Sequence, residues 1–297
     1  MAPTRLRARA DYESLVDKYD TFLFDCDGVI WTGSTVIPGA PAALDLLRRR
    51  GKRLVFVTNN SAKSRQDYVQ KFARLGIQAE ADEIFSSAYA TAVYLRDVVR
   101  FDTAKKAYVV GGSGVRHELE AVGISATGHA DSALPIDLDS IRDVRADPDV
   151  GAVVCGLDYD ISYRKLATAH VNLAENRDCL FIATNDDRTL PGGRYMYPGS
   201  GSLLQVLVHS TQRKPLVMGK PNAPMMECIL QRFHLDPART CMVGDRLDTD
   251  ILFGISGGLS TLCVLSGVAD EASILAPDAP QATYYTASLG DLAALAA

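Results

Sequence analysis

The 297-residue sequence predicts an α/β protein, a doubly wound parallel sheet into which a smaller α/β unit is inserted. Three observations carry that prediction. Short apolar runs alternate with amphipathic stretches of helical length along the whole chain, the rhythm of βα units rather than of hairpins. Several of the runs lack the polar alternation of a half-solvated strand, which marks strands covered on both faces. Their carboxyl ends carry polar clusters, and that is where open α/β sheets place their ligands.

Composition narrows the class. Hydrophobic residues make up 47% and charged residues 23% of the chain, an ordinary globular balance. The net charge of -5, with no long Lys/Arg run, argues against nucleic acid as a partner. No run approaches the roughly 18 consecutive apolar residues of a membrane span. Cys26, Cys155, Cys179, Cys228, Cys241 and Cys263 fall at no C-x-x-C spacing. Free buried thiols in a reducing cytoplasm explain them better than disulfides or a zinc site. Cys26 lies between two carboxylates, where it is either a redox-sensitive thiol or filler. Neighbouring anions blunt a thiol and favour filler.

Taken in order, residues up to Ser14 read as a loose basic tail carrying Arg5, Arg7 and Arg9, and a short helix follows. The run Phe22-Leu23-Phe24 opens the first buried strand, which ends near Cys26. A helix over 42–50 with Leu44, Leu46 and Leu47 on one side is closed by Gly51. The strand 53–57 ends in Thr58-Asn59-Asn60-Ser61, and a helix to Leu75, a strand at 84–86 and a helix over 89–99 follow. The chain then starts again, with strands at 105–110, 152–155 and 180–183, helices between them and a long polar loop from Thr184 to Tyr197. The first pattern resumes at Pro215-Leu216-Val217, with strands at 240–243 and 260–264. The expected division is therefore a core over 1–100 and 213–297, interrupted by a unit over 101–212.

Four strand ends carry the chemistry: Asp25 and Asp27, Thr58-Asn59-Asn60, Lys220, and Asp245 with Asp248 and Asp250. On one shared parallel sheet they would converge. Asp25-x-Asp27-Gly28 alone is equally an Asp-rich turn closing a strand. Together the clusters offer hard carboxylate oxygens suited to Mg²⁺. Carboxylates, a metal, a lysine and amide or hydroxyl donors are the parts of phosphoryl transfer.

In order and spacing, these four phrases resemble the motifs of the haloacid dehalogenase superfamily. Within it they are similar to the branch of p-nitrophenyl phosphatases, phosphoglycolate phosphatases, pyridoxal phosphate phosphatases and NagD-type nucleotidases, in which a large α/β cap follows the second motif. The resemblance implies that Asp25 attacks phosphorus and ligates Mg²⁺. Asp27 would act as acid and then base while its carbonyl binds the metal, and Asp245 would be a further ligand. Thr58, Asn59, Asn60 and Lys220 would hold the phosphate. Asp250 would orient metal-bound water or Lys220, and Asp248 either joins it or starts a helix.

The family sets specificity in a cap loop, matched here by Asn185 to Arg194 with Asp187, Arg188, Leu190 and Arg194. Leu190 stands where pyridoxal phosphate phosphatases carry His, which favours the phosphoglycolate and p-nitrophenyl phosphate side. Arg188 or Arg194 either pairs with a substrate carboxylate or is a solvated surface residue. The expected protein is thus a Mg²⁺-dependent phosphatase of small metabolites, 2-phosphoglycolate foremost, cytoplasmic, and a homodimer through its cap. A nucleotide, sugar-phosphate or pyridoxal phosphate phosphatase is the alternative. Gly111-Gly112-Ser113-Gly114 lacks the full dinucleotide fingerprint and reads as a tight turn.

Overall fold

A computed structural model describes residues 3–133, 137–192 and 194–296. The chain forms two compact units. The first comprises Met1–Thr58, Val69–Phe85 and Lys220–Ala297. Its seven-stranded sheet runs Thr4–Arg5, Tyr284–Thr286, Ser260–Val264, Thr240–Gly244, Thr21–Phe24, Arg53–Thr58, Ile84–Ser86. Thr21–Phe24 is central, with Phe24 paired in parallel to Val243 on one side and to Phe56 on the other. The chain winds one way from this strand to Arg53–Thr58 and later the other way to Thr240–Gly244. The order therefore reverses between the strands ending at Phe24 and Gly244, where a crevice is expected.

The central strand is buried along its whole length because aromatic side chains cover it. Phe24 lies 6.1 Å from Phe56, which lies 4.5 Å from Phe72, and Trp31 meets Phe72 edge-on at 4.8 Å. Burying each such ring stabilises the fold by roughly 1.5–3 kcal/mol, enough to fix the register of the strand that leads into Asp25.

The second unit comprises Asn59–Tyr68 and Ser86–Gly219. It has a five-stranded sheet of order Leu216–Val217, Leu180–Ala183, Val150–Cys155, Lys106–Val110, Ser125–Thr127, paired in parallel. Val153, Phe181, Leu173 and Leu204 pack its core. The helix Tyr163–Glu175 starts where Ser162 Oγ accepts the Lys165 N–H, and the Thr184–Tyr197 stretch holds an antiparallel hairpin, Thr189–Gly192 with Tyr195–Pro198.

Three expectations need correction. The basic N-terminus is not loose: Thr4–Arg5 pairs with Tyr284–Tyr285, and a helix spans Arg9–Lys18. Leu216–Val217 joins the second sheet, so three strands rather than four carry the polar clusters of the first. The long polar loop holds a solvent-exposed hairpin, the alternative that the family pattern had outweighed, with Tyr195, Met196 and Tyr197 all exposed. Among the described residues, no helix is long and apolar enough to cross a membrane.

Candidate active site

The central strand stops at Phe24, so Asp25 opens a turn, although its N–H still donates to Val243 O at 2.9 Å. Gly28 takes φ +87°, and a Cβ there would lie 2.3 Å from Asp245 Oδ2. Gly267 closes the other side, where a Cβ would lie 1.9 Å from the same oxygen. Only glycine lets backbone approach this closely. Ser266 Oγ donates to Gly28 O at 2.7 Å and the Val268 N–H to Asp245 Oδ2 at 2.8 Å. Asp245 is thus a carboxylate walled in by backbone.

Lys220 sits buried beside it. Its ammonium donates to Asp25 Oδ1 at 2.6 Å and Val57 O at 2.9 Å, and it pairs with Asp250 Oδ1 at 2.8 Å. Three acceptors match its three protons. Asp250 Oδ2 accepts the backbone N–H groups of Asp245 and Arg246 at 3.2 and 3.1 Å. The widened π-helical turn Leu247–Ile251 turns Asp250 inward. Asp248 faces out, 71% exposed, and pairs with Arg246 at 2.8 Å. It is not brought to the cluster.

Charge does not balance here. Oxygens of Asp25, Asp245 and Asp250 lie within 4.8 Å of one another, and the Lys220 ammonium pairs with two of the three carboxylates. Burial, then repulsion from Asp250, pushes the Asp245 carboxyl up to about 7. Burial also raises Asp25; Lys220 opposes this, and Asp250 and Asp245 add to it. Burial would lower the Lys220 pKa, but Asp25 and Asp250 override it and hold the ammonium charged. Asp245 Oδ1 is buried with no hydrogen-bond partner among the described residues. Excess negative charge, hard oxygen donors and an orphaned lone pair fit a divalent cation of the Mg²⁺ type.

Asp27 lies apart from that cluster. Its Oδ1 accepts the Trp31 indole N–H at 2.9 Å, and Lys71 Nζ lies 4.0 Å from the same oxygen and 4.0 Å from the Trp31 ring centre. Sequence reasoning missed Trp31 and Lys71, although Trp31 four residues after Asp27 was a signal within the motif. Cys26 is buried, and burial followed by Asp25 and Asp27 drives its thiol pKa far up.

Thr58 ends its strand buried in the first unit, and Asn59 and Asn60 begin the second. Asn59 Nδ2 donates to Asp187 Oδ2 at 3.2 Å, and Asn60 Oδ1 accepts the Ala62 N–H at 3.0 Å. Of the loop from Asn185 to Arg194, Arg188 is exposed, with its carbonyl accepting the Gly199 N–H at 2.9 Å. Leu190 pairs across the hairpin with Tyr197, and the exposed Arg194 lies 5.4 Å from the Tyr195 ring centre. Gly193 of this loop lies outside the described residues.

Residues 22–125 match the family described as haloacid dehalogenase-like hydrolase, and residues 217–292 match a second, HAD-hydrolase-like family. Over 98% of its length the chain is 46% identical to phosphoglycolate phosphatase 2 of Arabidopsis thaliana, covering 98% of that protein. The chain belongs to the haloacid dehalogenase-like hydrolases. It is also 42% identical to a 4-nitrophenylphosphatase of Schizosaccharomyces pombe, over 97% of this chain and 98% of that one. A glycerol phosphate phosphatase of Mycobacterium tuberculosis, solved in complex with magnesium, superposes with a TM-score of 0.79 at 29% identity, covering 94% of this chain and 77% of that one. This haloacid dehalogenase-like hydrolase is a phosphomonoester hydrolase, and its parallel α/β core is the fold the sequence predicts.

Proposed function

We propose that the protein is a Mg²⁺-dependent phosphatase of small metabolites that works through an aspartyl-phosphate on Asp25. 2-Phosphoglycolate is its best substrate and p-nitrophenyl phosphate a good artificial one. The observation that carries the mechanism is the Asp25–Lys220 contact of 2.6 Å beside two further buried carboxylates. Lys220 fixes the Asp25 carboxylate and offsets its repulsion of the incoming phosphate. Asp25 attacks phosphorus while the bond to the leaving oxygen breaks, and Asp27 gives that oxygen its proton. Asp27 then takes a proton from the water that attacks the aspartyl-phosphate, releasing inorganic phosphate and restoring Asp25. Thr58, Asn59 and Asn60 hold the phosphoryl oxygens. Asp25, Asp245 and the Asp27 carbonyl would bind Mg²⁺, which supplies charge neutralisation to the phosphoryl group.

The second unit acts in this reading as the substrate-selecting cap, through Asp187, Arg188, Leu190 and Arg194, and as the dimer contact. The name of the Arabidopsis relative supports 2-phosphoglycolate, whose carboxylate suits a bidentate arginine. Six free buried thiols suit a reducing compartment such as the cytoplasm. A second reading, glycerol phosphate, is favoured by the name of the mycobacterial neighbour. Phosphate release from 2-phosphoglycolate, glycerol phosphate, pyridoxal phosphate, UMP and p-nitrophenyl phosphate, with Mg²⁺ and with chelator, separates these readings. Wild type should turn over only with the metal and Asp25→Asn not at all; equal, metal-independent background in both sinks the mechanism.

A further inference from the structure

We infer that Asn185 is a positioning residue that sets the backbone of the phosphate-binding segment and couples it to the specificity hairpin. The inference rests on the proposal that Thr58–Asn60 holds phosphate. Asn185 follows the strand Leu180–Ala183 and is 3% exposed, so each polar atom of its amide needs a partner. Nδ2 donates to Asn59 O at 2.7 Å; Oδ1 accepts Ser200 Oγ at 2.6 Å and the Asp187 N–H at 3.1 Å. Both ends of the side chain are therefore committed, one to the segment and one to the hairpin.

On the segment, Asn59 O also accepts Ser87 Oγ at 2.6 Å. A carbonyl with both lone pairs engaged holds its peptide plane fixed. The N–H of a trans peptide points opposite the carbonyl, so the Asn60 N–H is aimed by the same two donors. That N–H is one of the groups a phosphoryl oxygen meets if the segment binds phosphate. Asp187, whose own N–H is held by Asn185, in turn holds the Asn59 side-chain amide at 3.2 Å.

On the hairpin, Ser200 opens the helix that follows it, and Gly201 N–H to Asp187 O at 2.9 Å closes its base. Gly201 must be glycine, because a Cβ would lie 2.1 Å from Asp186 O. One buried amide therefore ties the start and the end of the hairpin to residue 59. Loosening it should weaken phosphate binding and blur the choice of leaving group together, which a side chain serving stability alone would not do.

The test compares Asn185→Asp, Ser87→Ala and Thr58→Ala with wild type. It reads the inhibition constant of inorganic phosphate, the kcat/KM ratio of 2-phosphoglycolate to p-nitrophenyl phosphate, and the folded fraction. Asn185→Asp keeps the shape and replaces the donor with an acceptor facing Asn59 O. It should raise the phosphate inhibition constant about tenfold and flatten the substrate ratio about tenfold. Ser87→Ala should raise the inhibition constant about threefold and leave the ratio unchanged. A folded Asn185→Asp within twofold of wild type on both readouts overturns the inference. If that variant does not fold, Ser87→Ala decides, and an unchanged inhibition constant there overturns it. An unchanged constant in Thr58→Ala would instead show that the phosphate-binding segment itself is wrongly assigned.

Discussion

At the scale of residues, the buried carboxylates make stability depend on pH in an unusual direction. An unfolded aspartate titrates near 3.8, whereas Asp245 in the fold titrates at about 7. Between those values the folded chain binds more protons than the unfolded one, so stability falls as pH rises. Full ionisation costs on the order of a few kcal/mol by linkage. Carboxylates held low by partners, such as Asp20 beside Arg239, have the opposite sign, and their contribution is complete at the acid end of this window. In chelator the melting temperature should therefore drop from about pH 5 to about pH 8, because the neutral acid is lost in that range. A divalent cation should flatten the slope. Asp245→Asn should remove much of it in chelator, and activity should fall by more than about 100-fold. Melting curves that are flat in chelator, or equally steep in the variant, would refute this account of the charge imbalance.

At the scale of elements, the site is an arrangement of turns pressed together, and glycine sets how closely. Gly28→Ala combines a φ of +87° with a Cβ 2.3 Å from Asp245 Oδ2, whereas Gly51→Ala at φ +70° meets nothing within 4 Å. Gly51→Ala isolates the backbone cost, about 1 kcal/mol. Gly28→Ala should cost about 1–3 kcal/mol more and displace the carboxylate it strikes. Chemical denaturation of the pair, with activity alongside, measures the difference; equal losses would mean that the turn yields freely. The same scale shows what was legible. Phe22-Leu23-Phe24 and Leu54-Val55-Phe56 announced buried strands because sheets covered on both faces need unbroken apolar runs. Thr4–Arg5 is too short to carry any period, and an apolar run such as Leu216–Val217 does not reveal which sheet it joins. Asp25, Lys220, Asp245 and Asp250 were legible as polar clusters at predicted strand ends, and the family resemblance, not spacing, singled them out. The roles of Trp31, Val268 and Asn185 depend on which backbone atoms face one another, and spacing does not encode that.

At the scale of the whole molecule, the surface of the second unit argues for self-association. Side chains alternate across a strand, so a hairpin laid on its own unit buries one face. Tyr195, Met196 and Tyr197 are 58%, 58% and 48% exposed, so both faces of that strand reach solvent. Tyr159 and Tyr163, 73% and 66% exposed, add to the apolar surface of the same unit. Exposed tyrosines of this kind are frequent interface anchors. A second copy of the chain would satisfy that surface with a self-complementary contact. Light scattering at micromolar concentration should give twice the 32.1 kDa chain mass. Tyr197→Glu replaces an exposed side chain by a charge, so the melting temperature of the isolated chain should change little. The dimer should weaken about 30-fold or more, the loss of a single anchor worth about 2 kcal/mol. A wild-type monomer at that concentration would exclude the dimer. A dimer indifferent to Tyr197→Glu would move the contact off the hairpin and leave Tyr195 and Tyr197 free to serve the substrate.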